Sequence, residues 1–230
     1  ELATLHLADA LICPSNVTRD YIASLGLNPK LVTVIPNGVS PSDFPVTPLP
    51  VRNGREPVLL YIGTLADWQG LDIVIKALPK ILETQPVKLH IIGRGRSRQR
   101  KMLAKQIRKL DLEDYVLVLP AVPHHEIPEL IAKADICVAP LGLNDRNVTQ
   151  GACPIKVLEY MAAGRPLLAS NMPIVRELLR EDVDGLLFSP SDPDDLARQA
   201  NLLLKDVGLS KRLAESAAAH VREKFTWHES

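Results

Sequence analysis

The segment PVLLYIGTLADWQGLDIVIKALPKILETQPVKLHIIG, residues 57–93, decides the fold. It opens on a continuous apolar run, 57–63, of the kind a strand buried on both faces requires. Residues 70–83 then place Leu71, Val74, Ile75, Leu78 and Leu82 at helical spacing, and a second apolar run follows at 87–93. Strand, helix and strand joined in this way form a βαβ unit, and hence parallel strands. Pro79 is an awkward interior residue for the helix, because it brings no N–H to the ladder.

The alternation continues outward. Further strands are expected at 115–121, 135–141, 166–170 and 184–190, with helices at 125–134, around Glu159, at 192–206 and at 209–225. Leu103, Ile107 and Leu110 define another helical face. Upstream, 10–15 reads as a strand, a helix capped by Ser15 or Asn16 runs to a stop at Gly26, and 31–39 is a strand closed by Pro-Asn-Gly. Between the two regions lies SPSDFPVTPLPVRNGREP, 40–57, with five prolines, which predicts a semi-rigid, extended linker. The fold class is α/β: a doubly wound parallel sheet of about six strands. Ligands of such sheets bind beyond the carboxyl ends of the strands, which directs attention to loops 63–70, 93–97, 120–125, 140–156 and 170–173.

Bulk properties exclude several functions. The 230 residues carry 27 basic and 27 acidic side chains and 4% aromatics, so neither a global field nor stacking platforms point to nucleic acid. Cys13, Cys137 and Cys153 are far apart, and two lie in strand-like runs, which suits buried, reduced thiols and a cytoplasmic setting. No apolar stretch reaches membrane-spanning length. The chain starts in mid-pattern and reads as a fragment of a longer protein.

Loop 63–70 leaves a strand on Gly63 and enters a helix at Gly70, which lets backbone approach a ligand or simply makes a tight turn plugged by Trp68. Loop 93–97, GRGRS, lacks the third glycine of a dinucleotide fingerprint, although Arg94 and Arg96 could hold phosphate. Beyond it Arg98, Arg100, Lys101, Lys105, Arg108 and Lys109 make the next helix basic: a solvated face, or a contact for a membrane surface or an acceptor phosphate. His124 and His125 have no companions at metal spacing, and DPD at 192–194 reads as a helix cap. Loop 140–156 brings Arg146 and Lys156 to the mouth of the helix carrying Glu159. A helix mouth beside a cation suits pyrophosphate, and a carboxylate one turn deeper suits the vicinal hydroxyls of a ribose. The local alternative is an ordinary Lys156–Glu159 helix pair.

The ordered set ADALICPSNVTRDYI, VTVIPNGVSPSDF, LLYIGTLADWQGLDIVIKAL, KLHIIGRGR, LIAKADICVAPL, CPIKVLEYMAAGRPLLASNMPIVRELL, DGLLFSPSDPDDLA and REKFTWHES resembles the C-terminal, donor-binding half of the retaining GT-B glycosyltransferases of family 4, also called group 1. The resemblance implies three parts. Residues 1–45 are the last strand–helix–strand of an acceptor-side domain plus a crossover, 46–215 a Rossmann-like donor domain, and 216–230 a helix returning toward the missing N-terminal domain. It implies a metal-independent, retaining hexosyltransferase without cofactor that moves sugar from a nucleotide-sugar, foremost a UDP-sugar, to a glycan or lipid-linked acceptor in cell-surface polysaccharide synthesis. The setting is cytoplasmic, at the inner face of the membrane, with peripheral contact. Lys156 and Arg146 are the expected catalytic residues. Gly63, Thr64, Arg94, Ala121, Val122, Cys153, Pro154, Ile155, Lys156, Val157 and Glu159 are expected to bind the donor, with Ala121 and Val122 at the base and Glu159 at the ribose. The family's usual pair of glutamates is incomplete, since the first falls on Gly151, and its usual basic pair in the first loop falls on Thr64 and Gln69. An inactive nucleotide-binding domain and a UDP-sugar epimerase on the same fold are the alternatives.

Overall fold

The computed structural model describes residues 2–228; Glu1, Glu229 and Ser230, at the ends of two of the expected segments, lie outside the described residues. The N-terminal part comprises α1 (Leu2–His6), β1 (Leu11–Cys13), α2 (Asn16–Ser24) and β2 (Val32–Val34), with β1 and β2 parallel. Ser15 caps α2 by accepting from the Thr18 amide, and Gly26 follows its end at φ +88°.

The larger part runs β3 (Val58–Ile62), α3 (Leu71–Leu82), β4 (Lys88–Ile92), α4 (Ser97–Lys109), β5 (Val116–Leu119), α5 (Ile127–Ala132), β6 (Ile136–Ala139), α6 (Ile155–Ala162), β7 (Leu167–Ser170), α7 (Pro173–Arg176), β8 (Leu186–Phe188), α8 (Pro193–Lys205) and α9 (Val207–Lys224). Its six strands are all parallel in the order β5-β4-β3-β6-β7-β8, so the order reverses beside β3, where a doubly wound sheet opens a crevice. Alternate residues of each strand serve opposite cores: Leu59 and Tyr61 pack with α3, α4 and α8, whereas Leu60 and Ile62 pack with α5, α6 and α9.

Several expectations shift. α3 runs through Pro79 rather than breaking there. Pro128 lies in the first turn of α5, where its missing N–H costs nothing. The helix expected at 209–225 runs Val207–Lys224 and is followed by a β-bridge from Thr226 to Val39. The short helices α1 and α7 carry too little periodicity to be read from sequence. Asp192 does cap α8, accepting from the amides of Asp194 and Asp195 at 3.0 Å each.

The proline-rich segment is not a free linker. Phe44 is buried, and Arg165, fully buried, donates to the carbonyls of Thr47, Pro48, Ile131 and Ala132 and to the Thr47 hydroxyl. Further along, Asp135 accepts from Arg52, from Arg55 twice and from the Val58 amide. Two ties join the N-terminal part to the sheet. Glu177 accepts from the amides of Asn16 and Val17 at 2.8 and 3.1 Å, a carboxylate at the positive end of α2, and the Asn37 amide group donates to the Cys153 carbonyl at 2.9 Å.

Arg165→Met keeps the stem but strips the donors from a set of buried carbonyls, each costing about 1–3 kcal/mol when left unpaired. A loss of about 3 kcal/mol or more in urea unfolding is the expected outcome, against less than about 0.5 kcal/mol for a surface change such as Lys205→Met.

Candidate functional site

Tyr160 positions the site. Its side chain is fully buried and its hydroxyl accepts from the Ile62 amide at 2.8 Å, just past the last β3 residues paired with β6. This bond sets α6 against the carboxyl end of β3. Lys156 lies four residues earlier, on the same helical face, and is therefore aimed at the same strand end. Its ammonium crosses the sheet edge to donate to the Tyr61 hydroxyl at 3.0 Å and to the Gln69 side-chain carbonyl at 2.5 Å, and it sits 4.1 Å from the Tyr61 ring centroid. The Tyr61 hydroxyl in turn donates to the Thr64 carbonyl at 2.6 Å.

Gly63 is what leaves the path open. It has φ +151°, and a Cβ there would stand 2.7 Å from the Lys156 nitrogen. Desolvation at this edge, partly offset by the charge of Glu159, lowers the Lys156 pKa to about 7; burial raises that of Tyr61 and keeps the phenol protonated. No side chain caps α6, whose first turn follows Pro154, although the Val157 amide already bonds the Pro154 carbonyl.

Glu159 points elsewhere. Its carboxylate keeps 12% side-chain exposure and meets the His124 ring at 3.1 Å; His124 stands edge-on to Phe44. Lys156 and Glu159 thus have different partners and do not form the local helix pair. His124, from the loop after β5, is a site residue that sequence reading passed over, because it was weighed only as a metal ligand.

Gly63, Thr64, Arg94, Ala121 and Val122 converge on one cleft of about 340 Å³, also lined by Ile62 and Ile92 at the carboxyl ends of β3 and β4 and by Ile127 at the start of α5. Cys153 is buried, with its carbonyl committed to Asn37, so of the 153–157 backbone it faces inward. Arg146 is exposed and lies over the Trp68 ring at 5.5 Å to the centroid, in a π-helical turn, Arg146–Gln150, that sequence reading left as loop. Trp68 is not the plug of a tight turn: it is 39% exposed, and its carbonyl receives the Gly142 amide and the Asn147 side chain, stitching loop 63–70 to loop 140–150. The α3 mouth is correspondingly closed, since a Cβ on Gly70 would run into the Pro140 carbonyl.

Gly151, where the resemblance places a missing glutamate, has φ +80° and lies against the first turn of α2; a Cβ would come within 2.5 Å of the Thr18 amide and 2.9 Å of the Ser15 hydroxyl. The position is filled by the hydroxyls of Ser15 and Thr18 and the Thr18 amide. Gly151→Glu therefore adds left-handed strain to a collision that α2 must move to relieve. A stability loss of about 2–4 kcal/mol in thermal or urea unfolding is expected. An unchanged unfolding midpoint would show that α2 does not rest there.

The model of the family described as glycosyl transferases group 1 matches residues 50–220, and that described as glycosyltransferase family 4 matches residues 1–43. The chain is 28% identical over 229 residues to an uncharacterized glycosyltransferase of Methanocaldococcus jannaschii, covering 94% of this chain and 56% of the relative. It is 30% identical over 223 residues to a glycogen synthase of Mycobacterium tuberculosis, covering 96% and 51%. The chain spans about half the length of the curated relatives it matches. Among solved structures, Anabaena HepE in complex with UDP and glucose superposes with a TM-score of 0.84 at 23% identity, over 98% of this chain and 63% of that one. Sucrose-phosphate synthase from Thermosynechococcus elongatus gives 0.83 at 22% identity, over 99% and 57%.

Proposed function

Because the chain belongs to the glycosyl transferases group 1 family, we propose that it forms the donor side of a retaining, metal-independent hexosyltransferase and binds a nucleoside diphosphate sugar, foremost a UDP-sugar. Residues 1–45 are then the end of an acceptor-side domain, and the acceptor is a glycan or a lipid-linked saccharide. One observation carries this reading: the cleft at the strand-order reversal has Gly63, Thr64, Arg94, Ala121 and Val122 on its walls, with Lys156 across Gly63 and Glu159 beside His124 at the next loop. That a fold neighbour was crystallised with UDP is consistent with it.

In this reading the base rests on Ala121 and Val122, Glu159 accepts from the ribose hydroxyls, and the diphosphate lies over Gly63 and Thr64 against the α6 first turn. Lys156 swings from Gln69 to the β-phosphate and, with Arg94 and Arg146, stabilises the negative charge that grows as the anomeric bond breaks. Attack by the acceptor on the face the diphosphate leaves retains configuration. Lys156, together with Arg146, supplies the positive charge that the first loop lacks where Thr64 and Gln69 stand.

A second reading, a nucleotide-binding domain without turnover, is favoured by Gly151, whose packing against α2 leaves no room for the carboxylate expected beside the donor sugar. Transfer assayed with the longer protein, before and after Glu159→Ala, separates the two: loss of a measurable rate supports the transferase, and absence of any rate with nucleotide binding intact supports the second reading.

Calorimetric titration with UDP, GDP and ADP tests the site itself. Lys156→Gln is expected to weaken UDP binding about tenfold to hundredfold, the range for a hydrogen bond to a charged group. Glu159→Ala is expected to weaken UDP about tenfold while leaving inorganic pyrophosphate unaffected. Failure of all three nucleotides to bind would refute the assignment.

The pH dependence has a definite sign. Lys156 is depressed to about 7 in the free protein, and a bound diphosphate favours its charged form, so the complex holds more protons than the free protein above that pH. UDP affinity is expected to fall between about pH 7 and pH 9, by at most about tenfold per unit, with proton uptake on binding. Lys156→Gln should remove both the slope and the uptake.

A further inference from the structure

We propose that α4 is a docking face for an anionic lipid membrane, through the stripe Arg98, Lys101, Lys105, Arg108 and Lys109. All five are exposed and, at 3.6 residues per turn, fall within about 120° of arc opposite the buried Leu103 and Ile107. The stretch 94–109 contains eight cations and no acid. Among the described residues none of the five stripe cations makes an ion pair, including with Asp111, Glu113 or Asp114 just beyond the helix.

Three other helices pair cations with acids. Asp72–Lys76, Glu129–Lys133 and Lys211–Glu215 are i,i+4 pairs of opposite sign. Along α4 the neighbours at i,i+3 or i,i+4, Arg98 with Lys101, Lys101 with Lys105 and Lys105 with Lys109, are all of like sign, which opposes helix formation. A helix that leaves this repulsion uncompensated in a chain of zero net charge concentrates its positive potential on one face, and an external anionic surface offsets it.

The chemistry of the face favours lipid over nucleic acid. No aromatic residue lies within 94–109 to stack on a base, and the stripe is a convex, 13-residue helix surface rather than a groove. Met102, 53% exposed, lies at the margin of the stripe, where it lines a groove toward α3 with Leu65, Leu71 and Gln106. No helix of the described residues is long and apolar enough to cross a membrane, so the contact is peripheral. The inference does not depend on what the cleft binds.

Flotation with vesicles of equimolar phosphatidylglycerol and phosphatidylcholine, against pure phosphatidylcholine, tests it at low and high salt. The expected result is at least about tenfold stronger partition onto the anionic vesicles, lost as salt screens the contact. Arg98→Glu/Lys101→Glu/Lys105→Glu should abolish that preference, and Lys205→Glu/Lys211→Glu/Lys224→Glu, which changes net charge equally, should preserve it. Circular dichroism confirms that both triple variants remain folded, and Arg98→Gln/Lys101→Gln/Lys105→Gln serves if the reversal does not. Equal partition onto the two vesicle types, equal loss in the two triple variants, or tighter binding to single-stranded or duplex nucleic acid than to anionic vesicles at the same salt would overturn the proposal.

Discussion

The hydroxyl of Tyr160 on the amide of Ile62 governs the geometry of the whole carboxyl edge. At that point β3 has run past its pairing with β6, and the amide would otherwise be a buried, unsatisfied donor. Satisfying it with a side chain from α6 sets the height and rotation of that helix against the sheet. Lys156, one turn earlier, then has no choice but to reach over the end of β3, and Gly63 is the residue whose missing side chain lets it. Glu159, adjacent to Tyr160 but rotated by one residue, faces the loop after β5 and meets His124. One hydrogen bond thus directs a cation to the strand-order reversal and an anion to the neighbouring loop.

The electrostatic character of the edge follows from desolvation. An ammonium held between a phenol and a carboxamide has hydrogen bonds but no counter-charge in contact, so its charged form is disfavoured until an anion arrives. The same edge is kept compact by stitching between loops: Trp68 and Asn147 join loop 63–70 to loop 140–150, and the close approach of Gly70 to Pro140 shuts the competing helix mouth at α3. The cleft over the ends of β3, β4 and β5 stays open.

Buried charge organises the periphery as well. Arg165 and Asp135 take a proline-rich segment that has few amides to offer and pin it through carbonyls and arginines, turning a spacer into part of the scaffold. Glu177 does the same for α2, where it adds a carboxylate to the Ser15 cap. Gly151 lies beneath that helix turn, so the absent glutamate and the seating of the N-terminal part are one structural fact.

Apolar periodicity made the strands and the long helices legible, because burial on two faces or on one stripe imposes its spacing on the residues themselves. That is why 57–93 sufficed for βαβ and why the sheet's parallel, doubly wound character could be read along the chain. The loops 63–70, 93–97 and 120–125 were legible because ligands of a doubly wound sheet bind beyond its strand ends, whereas Ala121 and Val122 within them were named from the family resemblance. Short elements such as α1, α7 and the turn at Arg146–Gln150 have no period to display. The distant partners of Lys156, Glu159, Arg165 and Glu177 lie from 33 residues away, as Ala132 does from Arg165, to 161, as Asn16 does from Glu177, and Gly151 is limited by Ser15 and Thr18 of the N-terminal part. Sequence alone determined which segments are strands and helices and which loops share an edge; only the tertiary structure decided which side chain answers which, because a hydrogen bond or a steric limit is set by distance in space, and separation along the chain does not encode it.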